Sequence, residues 1–462
     1  MKTFTNIFDF GDERLNTRGN EFIQDMQKTN SVIIRKIAPD WNAEIAYGRF
    51  LSNEKVTIDS LKKVATYGVD ESVTGRHVLI MEDSSELNYT LKKDKITGLG
   101  KVGRGKEDGF EIHPNLVIDA VDGGIHGISD IYTWKRKEEK TTSTERTYTP
   151  SSEKESGRWI STAQNSLKVC EKASMRTVIA DREADFYELF YTLPNEEKNN
   201  HVIVRGSKDR KLYDKSERLF EYLDTLPVKG TYTLDLPRTD ERSAHTAILD
   251  VRYEKIKFKK PAAYWDKNAP QYIEINVVDV RERKESVVNN ETPIHWRLFT
   301  THSVDSLIMA RLIIDWYCLR WWIEQLFRIL KNKGLQIEDV QVEEYARLVK
   351  LVILAMITSV RSIQLTKARD GNTIQKLEYV FTKQEVVLLT VLCKKYEGNT
   401  QKQKNPYPPD SLAYGSWVIG RLGGWKGYAS QTPAGPITML EGLKKFNHIM
   451  EGWMLGNQPK QG

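Results

Sequence analysis

The chain has 462 residues, 39% of them hydrophobic and 29% charged, with 69 Lys and Arg against 63 Asp and Glu. That composition excludes a disordered or fibrous chain and fits a soluble globular protein of about three domains. The net charge of +6 suits a polyanionic partner, but acids and bases are interspersed, so a basic surface has to be made by the fold. Cys170, Cys318 and Cys393 are isolated and the eight His lack ligand spacing, which argues against a disulfide framework or a zinc site and for a reducing compartment. The N-terminus does not read as a signal peptide. The most apolar run, Leu348 to Val360, is too short to span a bilayer and contains Lys350. The expectation is a cytoplasmic protein with no membrane partner.

Residues 1–70 read as short helices. Phe8, Phe10 and Leu15 start one apolar pattern, and Ile45, Ala46, Tyr47, Phe50 and Leu51 make another. Arg14, Arg18, Arg35, Lys36 and Arg49 are scattered among them; each alone suits a solvated face, and together they suit DNA phosphates. HVLIMEDSS, after Arg76, reads as a buried strand whose C-terminal end carries Glu82 and Asp83. GLGKVGRGKEDG (98–109) lacks the context of a phosphate-binding loop and reads as a surface turn. Residues 111–134 predict two strands joined at Asp122-Gly123-Gly124. Residues 135–157 predict an exposed loop, and a helix follows from about Arg158 to Lys172.

In TVIADREADFYELF (177–190) a short buried strand ends at Asp181, and Glu183, Ala184, Phe186, Tyr187 and Phe190 continue with helical spacing. A second acid thus sits at the C-terminal end of a strand; an N-cap would also account for it. HVIVRGSK is a further strand, with Arg205 near its end. Residues 209–295 alternate apolar and polar residues between Pro, Asp and Asn turns and predict a β-rich insertion of many short strands. HWRLFTT (295–301) resumes the core as a strand.

Arg311 to Lys333 holds no Gly and no Pro, and predicts one long, largely buried helix. Tyr317, Arg320, Glu324 and Lys331 fall within an arc of about 60° on such a helix. Burying them is costly unless each has a partner. Internal ion pairs such as Arg320 with Glu324 would serve. So would a metal on the carboxylate and phosphates on the cations. Glu343 to Ala368 predicts a second apolar helix, and a helical tail follows the boundary at Asp370-Gly371-Asn372.

Acids on two strands and a helix of a mixed sheet are how the ribonuclease H-like fold builds a two-metal site. Three carboxylates hold two Mg²⁺ ions about 4 Å apart, and no His or Cys is required. Tyr-x2-Arg-x3-Glu-x6-Lys, present as Tyr317, Arg320, Glu324 and Lys331, resembles the YREK motif of the insertion-sequence-four family of bacterial cut-and-paste DDE transposases. IMEDSSELNY resembles the first-Asp segment of that family, and EKESGRW (153–159) with ADREADFYEL its second. GDERLNTR and IAYGRFLSNEKV look like its DNA-recognition domain, and LGGWKGY (422–428) with the helix after it like its dimerisation region.

The resemblance implies a metal-binding catalytic triad of Asp83, Asp181 and Glu324, with two Mg²⁺ ions for which Mn²⁺ substitutes. It implies backbone contacts to the transposon end from Tyr317, Arg320 and Lys331, with Arg205 near the same phosphates. Trp296, 28 residues before Glu324, stands where the family places a Trp that stacks on a flipped base; a core aromatic on a strand is the plain alternative. The implied domains are a helical DNA-recognition domain (1–70), an α/β ribonuclease H-like catalytic domain (71–370, with its insertion at 209–295) and a helical dimerisation domain (371–462). The implied activity is nicking, hairpin formation and joining of 3′ ends to target DNA by a homodimer. A nuclease or resolvase of the same fold, and a non-catalytic DNA-binding inhibitor, are the competing expectations.

Overall fold

The computed structural model describes residues 7–136, 148–236, 238, 242–289, 291–331, 334–428 and 431–456. Part of the loop expected at 135–157 lies outside the described residues. One mixed sheet runs through the middle of the chain. Its strands are β1 (His77–Glu82), β2 (Ser85–Asn88), β3 (Gly100–Val102), β4 (Glu107–Asp119), β5 (Ile125–Trp134), β6 (Met175–Ala180), β7 (Asn200–Arg205), β8 (Gly230–Leu236), β9 (His245–Lys259), β10 (Tyr272–Glu282) and β11 (His295–Thr300).

At its heart lies the order β5-β4-β1-β6-β7. β1 pairs parallel with β6, and β6 with β7, whereas β4 is antiparallel to both β1 and β5. In chain order these five strands stand 3-2-1-4-5 with only the second reversed, which is the ribonuclease H-like arrangement. β1 and β2 lie end to end along one edge of β4. The register pairs Glu82 with Asn115 and Ser85 with Ile112, so Asp83 faces Pro114. Pro114 has no N–H for the ladder, and pairing lapses there.

Ten helices of eight residues or more surround the sheet among the described residues: α1 (Glu13–Thr29), α2 (Trp41–Ser52), α3 (Ile58–Ala65), α4 (Arg158–Val169), α5 (Leu307–Cys318), α6 (Trp321–Leu330), α7 (Tyr345–Ala368), α8 (Lys383–Tyr396), α9 (Leu412–Leu422) and α10 (Pro436–Gly456). Alternation along the strands feeds two cores, because successive side chains point to opposite faces. Leu79, Met81, Ile179 and Ile203 pack with α5, α6, α7 and the N-terminal helices. Val78, Ile80, Val178 and Val202 pack with Trp159, Ala163 and Leu167 of α4 on the other face. Parallel strands buried on both faces explain the apolar runs HVLIM and TVIA. α8, α9 and α10 close a third core with the end of α7. By length and hydropathy the 24-residue α7 is apolar enough to cross a membrane, but 94% of its apolar window is buried inside the fold. It is the central core helix, touching α1, α3, α6, α9, α10 and β5.

Several expectations change. The residues after Asp181 form a 3₁₀ turn (Arg182–Ala184) and a four-residue helix (Leu189–Thr192) rather than one helix. Asp185 interrupts it: its buried carboxylate accepts the backbone N–H groups of Ser207 and Lys208 and an ion pair from Arg210, which calls for a bend rather than another helical turn. The insertion is not built of many short strands. β8, β9 and β10 extend the same sheet beyond β11, and β9 alone is 15 residues long. Local alternation reports that a segment is a strand, not which sheet it joins. The stretch 98–109 is more than a turn, since β3 pairs with Glu107 to Gly109 of β4.

Gly109 sits where β2, β3 and β4 meet, and a Cβ there would lie 2.0 Å from the carbonyl oxygen of Leu87. Gly109→Ala is expected to destabilise the fold by about 2 kcal/mol, as overpacking against backbone does. Urea unfolding of the variant checks this.

Candidate active site

The parallel register places the acids. β1 pairs with β6 from His77 with Met175 to Met81 with Ile179. Two residues further along, Asp83 comes opposite Asp181. β6 pairs with β7 up to Ala180 with Val204, so the next position sets Asp181 opposite Arg205. Three adjacent parallel strands thus present Asp83, Asp181 and Arg205 in a row at their C-terminal ends, where open α/β sheets carry their sites. An Arg205 Nη lies 3.8 Å from Asp181 Oδ1. Asp181 makes no N-cap hydrogen bond to the turn that follows it, so that alternative explanation is not realised.

The expected single helix is two helices. α5 ends at Cys318 and α6 begins at Trp321, and across the junction the backbone tightens to i to i−3 bonds: Arg320 to Tyr317, Trp322 to Leu319 and Ile323 to Arg320. No Pro or Gly marks the break, which is why the pattern reads as continuous. Around it, Tyr317 donates its hydroxyl to Asp181 Oδ1 at 3.2 Å. Arg320 donates one Nη to Asp83 Oδ2 at 2.6 Å and the other to Glu324 Oε1 at 2.9 Å. Trp296, on β11, is half-buried and meets the Tyr317 ring edge-on, centroids 5.5 Å apart. Lys331 stands apart: it caps the end of α6 and donates Nζ to the carbonyl of Glu86 on β2. Tyr317, Arg320 and Glu324 therefore gather around the α5–α6 junction rather than along one helix face, and Lys331 lies past the end of α6.

Burial pushes Asp83 up to about 6 against the pull of Arg320, and the like charge of Asp181 adds to the rise. Burial pushes Tyr317 up to about 12, again helped by Asp181. Arg320 is raised: burial would lower it, but Asp83, Tyr317, Asp181 and Glu324 together outweigh that. Burial lowers Lys331. Directly behind Asp83, Glu82 is fully buried and pushed up to about 8, although Thr162 and Asn115 donate to it. These shifts set a pH dependence. A carboxyl raised on folding contributes stability that is fully present below its ordinary value, here 3.8 for Asp83 and 4.5 for Glu82, and lost as pH rises through its folded value. Glu111, which burial raises to about 7, adds to these, so metal-free protein is expected to lose stability progressively as pH rises from about 6 to about 8. Glu82→Gln should flatten the upper end of that loss in urea titrations.

Among the described residues, no group of three or more His, Cys, Asp or Glu side chains is arranged to hold a metal ion. Instead the guanidinium of Arg320 lies between Asp83 and Glu324 and offsets two of the three negative charges. The donor chemistry itself fits a hard divalent cation: carboxylates only, one of them with a raised pKa beside a second acid. Arg158, Ser84 and Glu183 join the two acid-bearing strand ends; they fall in EKESGRW, IMEDSSELNY and ADREADFYEL, but nothing in those segments by themselves marks them as a tie.

The ribonuclease H-like sheet thus carries acids at adjacent strand ends, with a Tyr-Arg-Glu junction crossing them. Residues 147–361 match a family model described as the transposase DDE domain. The matched span contains Asp181, Arg205, Trp296, Tyr317, Arg320, Glu324 and Lys331 and begins after Asp83. The match supports a DDE transposase, a DNA-acting enzyme. A solved structure of a piggyBac transposase synaptic complex with hairpin DNA aligns with 97% of this chain and 74% of that chain, at 9% identity and a TM-score of 0.37. A likeness of that size is too slight to argue from.

Proposed function

We propose that this chain is a cut-and-paste DNA transposase of the insertion-sequence-four type. It binds the inverted repeats at the ends of its element, nicks them, frees the element through hairpin ends and joins its 3′ ends to target DNA. The observation that carries this is the register: Asp83 and Asp181, 98 residues apart in sequence, directly follow the neighbouring ends of the paired strands β1 and β6, with Tyr317 and Arg320 laid over them from the α5–α6 junction.

Asp83, Asp181 and Glu324 would hold divalent cations, Mg²⁺ in the cell with Mn²⁺ as substitute. Bound there, the cations supply charge neutralisation at the phosphodiester and a lowered pKa for the attacking hydroxyl. The protein side chains do the rest. Arg320 is a planar donor suited to phosphate oxygens and keeps Asp83 and Glu324 from repelling each other until substrate arrives. Tyr317 fixes the orientation of the Asp181 carboxylate. Trp296 offers an aromatic face for an unstacked base beside the cut. Arg205 and Lys331 flank the site as cations for the DNA backbone.

In this reading residues 1–70 recognise the repeat, 71–370 carry the chemistry with the sheet extension at 209–295, and 371–462 pair two subunits. The dimer works in the cytoplasm on nucleoid DNA. A strand-transfer assay tests the proposal, using Mg²⁺ and a duplex carrying the repeats that flank the gene. Nicked, hairpin and joined products are expected. Cleavage without joining would mean a nuclease or resolvase, and binding without cleavage an inhibitor of transposition.

A further inference from the structure

The geometry points to Arg158 as a positioning residue that locks the two acid-bearing strand ends together; this rests on the function proposed above. Arg158 opens α4 and is 8% exposed. Its guanidinium carbon lies 4.5 Å from the centre of the Trp134 ring and 5.4 Å from that of Trp159. From that slot its three nitrogens reach three separate segments. Nε donates to Ser84 Oγ at 3.1 Å, Nη1 to the carbonyl of Glu155 at 2.8 Å, and Nη2 to the carboxylate of Glu183. Ser84 directly follows Asp83, and Glu183 lies two residues after Asp181.

The tie is needed because of what it holds. Continuing the β1–β6 register sets Asp83 opposite Asp181 on neighbouring strands, and two carboxylates so placed repel each other. Backbone pairing between β1 and β6 stops at Met81 with Ile179, so no ladder bond spans the acids themselves. Ser84 is fixed from behind as well, since its Oγ lies 2.9 Å from Nδ1 of the fully buried His113. With Nε of Arg158 donating to that oxygen, the Ser84 hydroxyl is free to donate to His113. Arg158 touches neither acid. It sets their spacing through the residues beside them, the outer-shell role that orients ligands at a charged site.

The test compares Arg158→Ala, Ser84→Ala and Glu183→Ala with the wild type. The Glu183 side chain is 67% exposed, so its removal leaves the core untouched. Two quantities are read: nicking of a duplex carrying the flanking repeats, and binding of Mn²⁺ alone to the DNA-free protein. In Arg158→Ala, nicking should fall roughly 100-fold and Mn²⁺ affinity about tenfold, with repeat binding unchanged. Millimolar guanidinium, filling the slot between the two rings, should restore much of both. Glu183→Ala and Ser84→Ala should show smaller losses of the same kind. Wild-type nicking and Mn²⁺ affinity in Arg158→Ala would overturn the inference. So would losses that guanidinium does not reverse while Glu183→Ala and Ser84→Ala stay at wild-type values. If the wild type binds Mn²⁺ with the expected dependence on Arg158 but nicks no DNA, the tie stands and the transposase reading falls. A wild type that binds no Mn²⁺ overturns both.

Discussion

Asp181→Asn is expected to abolish nicking, by roughly 1000-fold or more, while leaving binding to the repeats close to wild type. The substitution keeps size and shape. Asn retains an oxygen to accept the Tyr317 hydroxyl, which now donates to Asp181 Oδ1 at 3.2 Å, so the α5–α6 junction keeps its contact with β6. Only the charge is lost. Cations held beside a reacting phosphodiester stabilise the charge that develops there, an effect of about 100- to 1000-fold, and removing one carboxylate of the proposed donor set weakens the hold on them. A second readout separates this from misfolding. The charge of Asp181 helps to raise Asp83, so in Asp181→Asn the Asp83 carboxyl should titrate at lower pH than in the wild type, read by NMR on metal-free protein. Nicking that survives in Asp181→Asn would remove this residue from the chemistry.

Arg320→Ala should have the largest effect on stability, and its size should depend on the cation. The Arg320 side chain is 12% exposed and pairs with Asp83 at 2.6 Å. Its second partner, Glu324, is 47% exposed, so that arm contributes little to stability. Deleting the guanidinium leaves Asp83 as a partly buried charge without its counterion, which costs on the order of 3 kcal/mol. Added Mg²⁺ would then replace the missing positive charge. Urea unfolding in EDTA should show the loss, and Mg²⁺ should stabilise Arg320→Ala more than the wild type, because binding to the folded state alone adds stability by mass action. Equal stabilisation of the two proteins by Mg²⁺ would mean that Arg320 and the cation do not share the site. Arg320→Ala should also bind DNA with a flatter salt dependence if Arg320 makes the phosphate contact proposed for it.

The order of elements is legible in the residues because each is a local pattern. HVLIME and TVIA are apolar runs of strand length, Asp122-Gly123-Gly124 is a turn between two strand patterns, and α7 is a long apolar stretch. The acids at the strand ends are visible for the same reason, since a charged residue closing a buried strand is a one-dimensional signal. Where local signals are absent, the reading goes wrong. The break at Leu319 carries no helix-breaking residue and follows from a switch to tighter hydrogen bonding. Alternation at 230–282 reveals strands but not that they extend the central sheet.

What the chain by itself determined is a list: two strand-terminal aspartates, a Tyr-Arg-Glu-Lys series and an aromatic before them. Tertiary structure alone decided their relations. Hydrogen-bond register across β1, β6 and β7 sets Asp83, Asp181 and Arg205 side by side, and register is a property of paired strands that neither strand encodes alone. The same holds for Arg320 between two acids and for Arg158 between two aromatic rings. A buried cation is tolerable only where several distant segments each supply a partner, and those partners are assembled by folding.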